Sequence, residues 1–309
     1  MKIVITGAAG LVGQNLIIEL LKSGGHEVVA IDKHPSNTKI LKQLHPAVTV
    51  YEANVAESGK WEKELSNADV LVLLHAQIGA LDHQEFMKNN VEATKHVLSV
   101  ARSNHIAYLV HVSSSVVESV ADDGYTNSKK EQEALVVESG LTYCILRPTL
   151  MFGWFDRKHL GWLSRFMKRI PIFPIPGHGR YMRQPLYVRD FCRIIVACIN
   201  KPKQNEIFNI TGKENVDYID IIRAIKKSIH AFTFIIKIPY LLFWWLLRIY
   251  AVFDKDPPFT TEQLQALMAG DEFEIIPWWD IFEVTPTPFK EAISETFTDP
   301  QYSRIELKF

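Results

Sequence analysis

Cysteine is scarce. Cys144, Cys192 and Cys198 are all the chain has in 309 residues, and no two of them form a CxxC pair. An odd, unpaired set argues against a disulfide framework, and a reducing compartment is the expectation. An excess of charge is also missing. Lys and Arg number 34 against 35 Asp and Glu, a formal net charge of −1, so there is no electrostatic footprint for nucleic acid. His75, His83, His111, His159 and His178 are scattered without metal-ligand spacing to Cys or carboxylate, and no metal site is expected. There is no internal repeat and no low-complexity tract. The most apolar segment, residues 238–253 (IPYLLFWWLLRIYAVF), has Arg248 as its only charge and is shorter than the ~20 residues that span a bilayer. It reads as a buried or dimer-contacting helix, with peripheral membrane or apolar-ligand contact as the alternative. The opening MKIVITG runs straight into an apolar strand with no signal-peptide pattern, and a cytoplasmic location is the default expectation.

What is present is alternation. Apolar runs at Lys2–Thr6, Glu27–Ile31, Val48–Tyr51, Val70–Leu74, Tyr108–Val112 and Thr142–Leu146 read as strands. Helical spacing occupies Leu11–Lys22, Asn90–Ser103 and Asn127–Glu138. Strands alternating with such helices predict βαβ units and an α/β fold with a doubly wound parallel sheet. After Pro148 the pattern loosens. Pro171, Pro174, Pro176, Gly177 and Gly179 crowd one stretch, a helix (Asp190–Asn200), a strand (Glu206–Ile210) and a helix (Tyr218–His230) follow, and the last third reads as helical, aromatic and proline-broken. The expected organisation is a core of residues 1–150, with 186–210 returning to it, and a smaller, mostly helical C-terminal substrate lobe over 151–309.

Thr6-Gly7-Ala8-Ala9-Gly10-Leu11-Val12-Gly13 joins the first strand to the first helix, and Asp32 ends the second strand about twenty residues on. In that context the glycines fit a dinucleotide site of the Rossmann type. Gly7 permits a sharp turn, Gly10 lets the backbone approach a pyrophosphate, and Gly13 allows close helix–strand packing. The helix N-terminus offers N–H groups to phosphate. Asp32 can accept hydrogen bonds from ribose hydroxyls and repels a 2′-phosphate, which favours NAD over NADP; the adjacent Lys33 and His34 soften that preference.

Here the sequence resembles the short-chain dehydrogenase/reductase superfamily, especially its extended or atypical members, the NAD-dependent epimerase/dehydratase-like proteins. The TGxxGxxG spacing carries the resemblance, together with Asn54-Val55, His75-Ala76-Gln77 and Asn90-Val91-Glu92-Ala93-Thr94. It implies that Asn54 and Val55 lie near the adenine, where the family usually has Asp. It also implies that His75, Ala76, Gln77 and Asn90 line the cofactor, and that a homodimer forms through the helices at 90–103 and 127–138.

Tyr125-Thr126-Asn127-Ser128-Lys129 is a YxxxK, and residues at i and i+4 share a helix face. A cation near a phenol lowers its pKa and suits it to acid–base work near neutral pH. Ser113-Ser114-Ser115 stands at the carboxyl end of the fifth strand, where ligands bind in such sheets. A serine there can hold a substrate oxygen. Similarity to the superfamily's Ser-Tyr-Lys triad assigns Ser114, with Ser115 as the alternative and as a substrate contact, beside Tyr125 and Lys129. It also implies that Lys129 binds the nicotinamide ribose. Glu118-Ser119 replace the Tyr-Gly common in sugar-nucleotide enzymes, and Ser114-Ser115-Val116 lacks the Thr-Asp-Glu of dehydratases, which disfavours 4,6-dehydration.

Pro148 and Thr149, in LRPTLMFG, resemble the strand end near the nicotinamide. Arg180 and Arg183 are either diphosphate ligands or surface charge. Gln184–Val188, PFTTEQLQAL (258–267) and DIFEVTPTPFKEAI (280–293) resemble an atypical branch that includes the NAD(P)H-binding accessory subunit of respiratory complex I. Three functions follow. The first is an NAD-dependent epimerase or dehydrogenase of a nucleotide-linked sugar. The second is a dehydrogenase or isomerase of an apolar, sterol-like or lipid alcohol. The third is a non-catalytic NAD(P)H-binding subunit.

Overall fold

The computed structural model describes residues 1–80, 82–253, 261, 264, 267, 268 and 273–308. Most of the 258–267 stretch therefore lies outside the described residues. Six strands come first: β1 (Lys2–Thr6), β2 (Glu27–Asp32), β3 (Thr49–Glu52), β4 (Val70–Leu73), β5 (Tyr108–Val112) and β6 (Tyr143–Pro148). Short strands follow at β7 (Met151–Phe152), β8 (Ile172–Pro176), β9 (Met182–Arg183) and β10 (Leu186–Tyr187), then β11 (Glu206–Ile210), β12 (Val216–Asp217) and β13 (Phe234–Ile238). The main sheet has seven parallel strands in the order β11-β6-β5-β4-β1-β2-β3. The chain reverses its direction across the sheet between β1 and β4, so a crevice opens at the carboxyl ends of those strands.

The helices are α1 (Leu11–Ser23), α2 (Pro35–Leu44), α3 (His83–Phe86), α4 (Ala93–Ser103), α5 (Gly124–Val137), α6 (Leu160–Arg169), α7 (Val188–Asn200), α8 (Tyr218–Ser228) and α9 (Tyr240–Phe253), with further helices at Trp278–Ile281 and Phe289–Thr298. The two-residue period of a strand sorts the core. Ile3 and Ile5 pack with Leu16 and Ile17 of α1 and Phe191 and Ile195 of α7, whereas Val4 packs on the opposite face with Trp61, Val97 and Val136. Val28 and Ala30 oppose Val29 and Ile31 in the same way, as Val70 and Val72 oppose Leu71 and Leu73. Both faces of the sheet are covered, so its strands read as unbroken apolar runs.

Three local departures from the sequence reading have physical causes. The helix expected from Asn90 begins as a π-helical turn, Met87–Glu92. There the Asn90 side chain takes a hydrogen bond from Gln77 N at 2.6 Å and donates to Gln77 O at 3.2 Å and Ser128 Oγ at 2.9 Å. The helix expected from Asn127 starts earlier because Asp123 caps it, accepting from Thr126 N at 2.9 Å and Thr126 Oγ1 at 2.7 Å, which puts Tyr125 in its first turn. The last third is not wholly helical, since the β-branched run FIIKI forms β13, paired in parallel with β8.

The lobe gathers α6, α8, β8 and Phe289–Thr298 around Phe152, Phe173, Ile175, Ile222 and Ile225. Of the readings open for residues 238–253, burial in the chain's own core does not hold for the described side chains of α9. On α9, Leu241, Leu242, Trp245, Leu246 and Ile249 are all more than half exposed. Two polar contacts tie the lobe and chain end to the core. Arg189 of α7 pairs with Glu19 of α1 at 2.7 Å and with Glu295, its guanidinium lying 4.5 Å from the Trp154 ring centroid. The Asn37 amide of α2 donates to Lys308 O at 2.7 Å and accepts from Lys308 N at 2.8 Å, beside buried Leu307. Asn37→Ala should lower stability by about 1–3 kcal/mol and speed carboxypeptidase trimming of residues 299–308. Trimming at the parental rate would contradict this anchor.

Candidate active site

Apart from Arg180 and Arg183, the residues singled out from the sequence lie along the carboxyl ends of β1 to β6. At the glycine turn, Gly7 has φ +70°, and a Cβ there would sit 2.6 Å from His75 N, so β1 and the chain leaving β4 touch backbone to backbone. A Cβ on Gly13 would lie 2.3 Å from Ala8 O, so α1 packs directly on the turn. Gly10 is different: a Cβ there would meet only Gly7 O at 3.5 Å. The turn is therefore open at Gly10, where α1 begins with Leu11 and Val12, and the first-turn amides of a helix have no partner within it. No acidic residue stands in that first turn. The cradle fits a pyrophosphate.

Asp32 is fixed beside it. Its Oδ2 accepts from Ala9 N at 3.0 Å and its Oδ1 from His34 N at 2.9 Å, which leaves lone pairs on both oxygens for further donors. Burial raises its pKa, and the two N–H bonds oppose that shift. Lys33 turns to Asn89 Oδ1 at 2.8 Å. Asn54 closes a local turn, accepting from Ala56 N at 3.1 Å and donating to Glu57 at 3.0 Å, while Val55 is buried in the core.

A buried polar chain runs beneath the crevice. His75 Nδ1 is 2.7 Å from Thr6 Oγ1 and its Nε2 is 3.0 Å from Thr94 Oγ1. Burial, with Lys129 and Lys33 nearby, holds the His75 pKa at about 3, so the ring is neutral and donates one of these bonds while accepting the other. Gln132 Nε2 donates to Thr94 Oγ1 at 2.8 Å and His75 O at 3.3 Å, and its Oε1 accepts from Lys129 Nζ at 2.5 Å. Lys129 also donates to Val112 O at 3.1 Å. Ala76 and Gln77 follow at the mouth of the crevice.

Ser114 caps the short 3-10 helix Ser115–Glu118 and is hydrogen-bonded to the Tyr125 side chain; Ser115 opens that helix, half-buried. The expected lowering of the phenol by the lysine is not seen. Burial raises the Tyr125 pKa above its ordinary value, and the Ser114 bond opposes the shift. The Lys129 ammonium is engaged by Val112 and Gln132 instead. Pro148 ends β6, and Thr149 is buried against the lobe, with N–H to Ile210 O at 3.0 Å and Oγ1 to Gln184 O at 3.4 Å. Of the two arginines on the lobe, Arg180 is exposed and Arg183 donates to Leu267 O at 2.8 Å.

Sequence reasoning missed Gln132 and Glu133. Glu133 forms a double contact with Arg147, whose Nε donates at 3.1 Å to Oε2, and Arg147 also reaches Glu118 at 2.9 Å. The signal was the spacing, since both stand at i+3 and i+4 from Lys129 on the same helix face.

The comparisons with known proteins agree with this geometry. The family model described as "NAD dependent epimerase/dehydratase family" matches residues 3–211. The chain belongs to that family. Its members are NAD-dependent enzymes, and NAD is the cofactor the crevice fits. The chain is 23% identical over 264 residues to the UDP-glucose 4-epimerase of Vibrio cholerae, covering 77% of this chain and 78% of that protein. It is 24% identical over 329 residues to the decarboxylating sterol-4-alpha-carboxylate 3-dehydrogenase of Schizosaccharomyces pombe, covering 96% of each. Among solved structures, the UDP-glucuronic acid 4-epimerase from Bacillus cereus in complex with NAD superposes with a TM-score of 0.74 at 22% identity, over 96% of this chain and 97% of that one, a likeness of fold.

Two expected outcomes test the site as a cofactor cradle. Gly10→Val should leave the melting temperature near the parent's and abolish NAD binding by calorimetry, whereas Gly13→Val should prevent stable folding. Equal NAD affinity in Gly10→Val would refute the cradle. Burial lowers the Lys129 pKa from 10.5 to about 7. Between those values the unfolded chain binds the extra proton and the native protein does not, so unfolding free energy gains a rising contribution with pH across that window. Denaturant titrations should show Lys129→Met flattening the rise; an unchanged slope would place the lysine in water.

Proposed function

We propose that the protein is an NAD-dependent epimerase acting on a nucleotide-linked sugar, with Tyr125 as acid and base. The observation that carries the reading is the Ser114–Tyr125 pair at the carboxyl end of β5, on the same sheet edge as the open Gly10 turn and Asp32. NAD supplies the acceptor and donor of the hydride when bound. Asp32 binds the adenosine ribose, and α1 with Gly10, Leu11 and Val12 takes the pyrophosphate. Tyr125 Oη, as the phenolate that the Ser114 contact favours against burial, removes the proton of the sugar hydroxyl and returns it. Ser114 Oγ donates a hydrogen bond to the same oxygen, stabilising it as charge develops. Lys129, held by Gln132 and Val112, lies beneath the site and carries its charge only below about pH 7, and Arg180 and Arg183 take the diphosphate. No Asp-Glu pair follows Ser114, so there is no acid and base for elimination, and epimerisation is preferred to dehydration. Sugar-nucleotide names among the similar proteins support the substrate class.

The reading extends to a homodimer through α4 and α5 in the cytoplasm, with residues 238–253 as a peripheral contact. A second reading, dehydrogenation of an apolar alcohol, is favoured by the exposed apolar face of α9 and by the sterol-enzyme relative that spans nearly the whole chain.

The test is incubation with NAD and a panel of nucleotide sugars, followed by chromatography. One sugar should yield a new isomer. Tyr125→Phe should lower that turnover by about 10²–10⁴-fold with NAD affinity unchanged. Isomerisation at the parental rate by Tyr125→Phe would remove the tyrosine from the chemistry.

A further inference from the structure

The lobe carries an apolar surface that the enzyme reading does not use. On α9 the exposed residues Leu241, Leu242, Trp245, Leu246 and Ile249 recur at i, i+1, i+4, i+5 and i+8, which is one helix face. A second set alternates along and just before β13, where Phe232 is 96% and Phe234 70% exposed and Ile236 is also exposed. β13 pairs with β8, whose Ile172 is exposed too. Exposed apolar side chains in this number on two consecutive elements of a folded protein mark a contact surface.

Charge identifies what it contacts. Residues 160–176 and 224–253, brought together by the β8–β13 pairing, contain no Asp or Glu at all. They do contain Lys168, Arg169, Lys226, Lys227, Lys237 and Arg248; the remaining cation, Arg165, pairs with Glu306. In a chain with a net charge of −1 this is a strong local segregation. The cations adjoin the aromatic rings: Lys226 Nζ lies 6.0 Å from the Phe234 centroid and the Arg248 guanidinium 5.2 Å from that of Trp244. Long basic side chains around Trp, Phe and Leu suit an apolar layer beneath an anionic one, where the apolar groups enter the acyl boundary and the cations stay at the headgroups. No described helix is long and apolar enough to cross a membrane, so the contact lies in the plane of the surface.

We propose that α9 and β13, with the basic rim at 168–169 and 226–227, form a docking face for an anionic phospholipid surface. This deepens the reading of residues 238–253 as a peripheral contact, and it is independent of the sugar chemistry.

The test is flotation of the full chain with vesicles of phosphatidylcholine alone or mixed with phosphatidylglycerol. The parent should float with the mixed vesicles, less in high salt, and not with phosphatidylcholine alone. The double variants Leu241→Ser/Trp245→Ser and Lys226→Glu/Lys227→Glu should each lose at least about tenfold in partitioning, with parental melting temperature and NAD affinity. Val120→Ser, at an exposed apolar residue away from the face, should float like the parent. Three results would overturn the proposal: no flotation of the parent, equal flotation with both vesicles, or parental flotation of both double variants. So would a parental dimer in sedimentation that Leu241→Ser/Trp245→Ser dissolves without any vesicle binding, because a second copy would then own the face. Loss of sugar isomerisation alone leaves these readouts untouched.

Discussion

The site depends on two backbone contacts that only glycine permits. At Gly7 the turn after β1 lies against the main chain of His75, and at Gly13 helix α1 lies against Ala8. The first contact brings Thr6 within hydrogen-bonding distance of His75, and His75 links through Thr94 and Gln132 to Lys129. The position of a lysine on α5 is thus set by a glycine on the far side of β4. The second contact starts α1 at the open position of Gly10, with its N-terminus on the crevice.

Burial shapes the charges in this chain. His75 stays neutral, Lys129 gives up its proton near pH 7, and Tyr125 holds its proton more tightly than a free phenol. Because burial disfavours the phenolate, the Ser114 hydrogen bond is the contact of Tyr125 that favours it. Polar groups at this depth need partners. The chain from Thr6 to Lys129 supplies them without a carboxylate, while the Glu133 carboxylate is neutralised by Arg147.

Much of the fold is legible in the order of residues. The runs KIVIT, EVVAID and VLVL, bounded by turn residues, read as strands covered on both faces, and the glycine spacing with Asp32 marks the crevice. Local signals failed where a tertiary contact decides. Asn90 widens its helix because Gln77 and Ser128 hold its side chain. The i,i+4 spacing puts Lys129 on the helix face of Tyr125, but the direction of its ammonium is set by Gln132 and Val112. Residues 240–253 look like core in composition, yet Leu241, Leu242, Trp245, Leu246 and Ile249 stay exposed, an outcome of the tertiary fold that composition does not carry. Gln132 and Glu133 were recoverable from helical spacing. The contact of Arg183 with Leu267 was not, since it arises only through the fold.

The central claim is that the crevice carries out a reversible oxidation at one sugar carbon, with the hydrogen kept within the enzyme. The most direct measurement follows a nucleotide sugar deuterated at the carbon that inverts, with the isomer analysed by mass spectrometry. The account predicts an isomer that retains the deuterium at that carbon. An isomer that has exchanged it for solvent hydrogen would show that inversion proceeds by deprotonation at carbon, and would contradict the account.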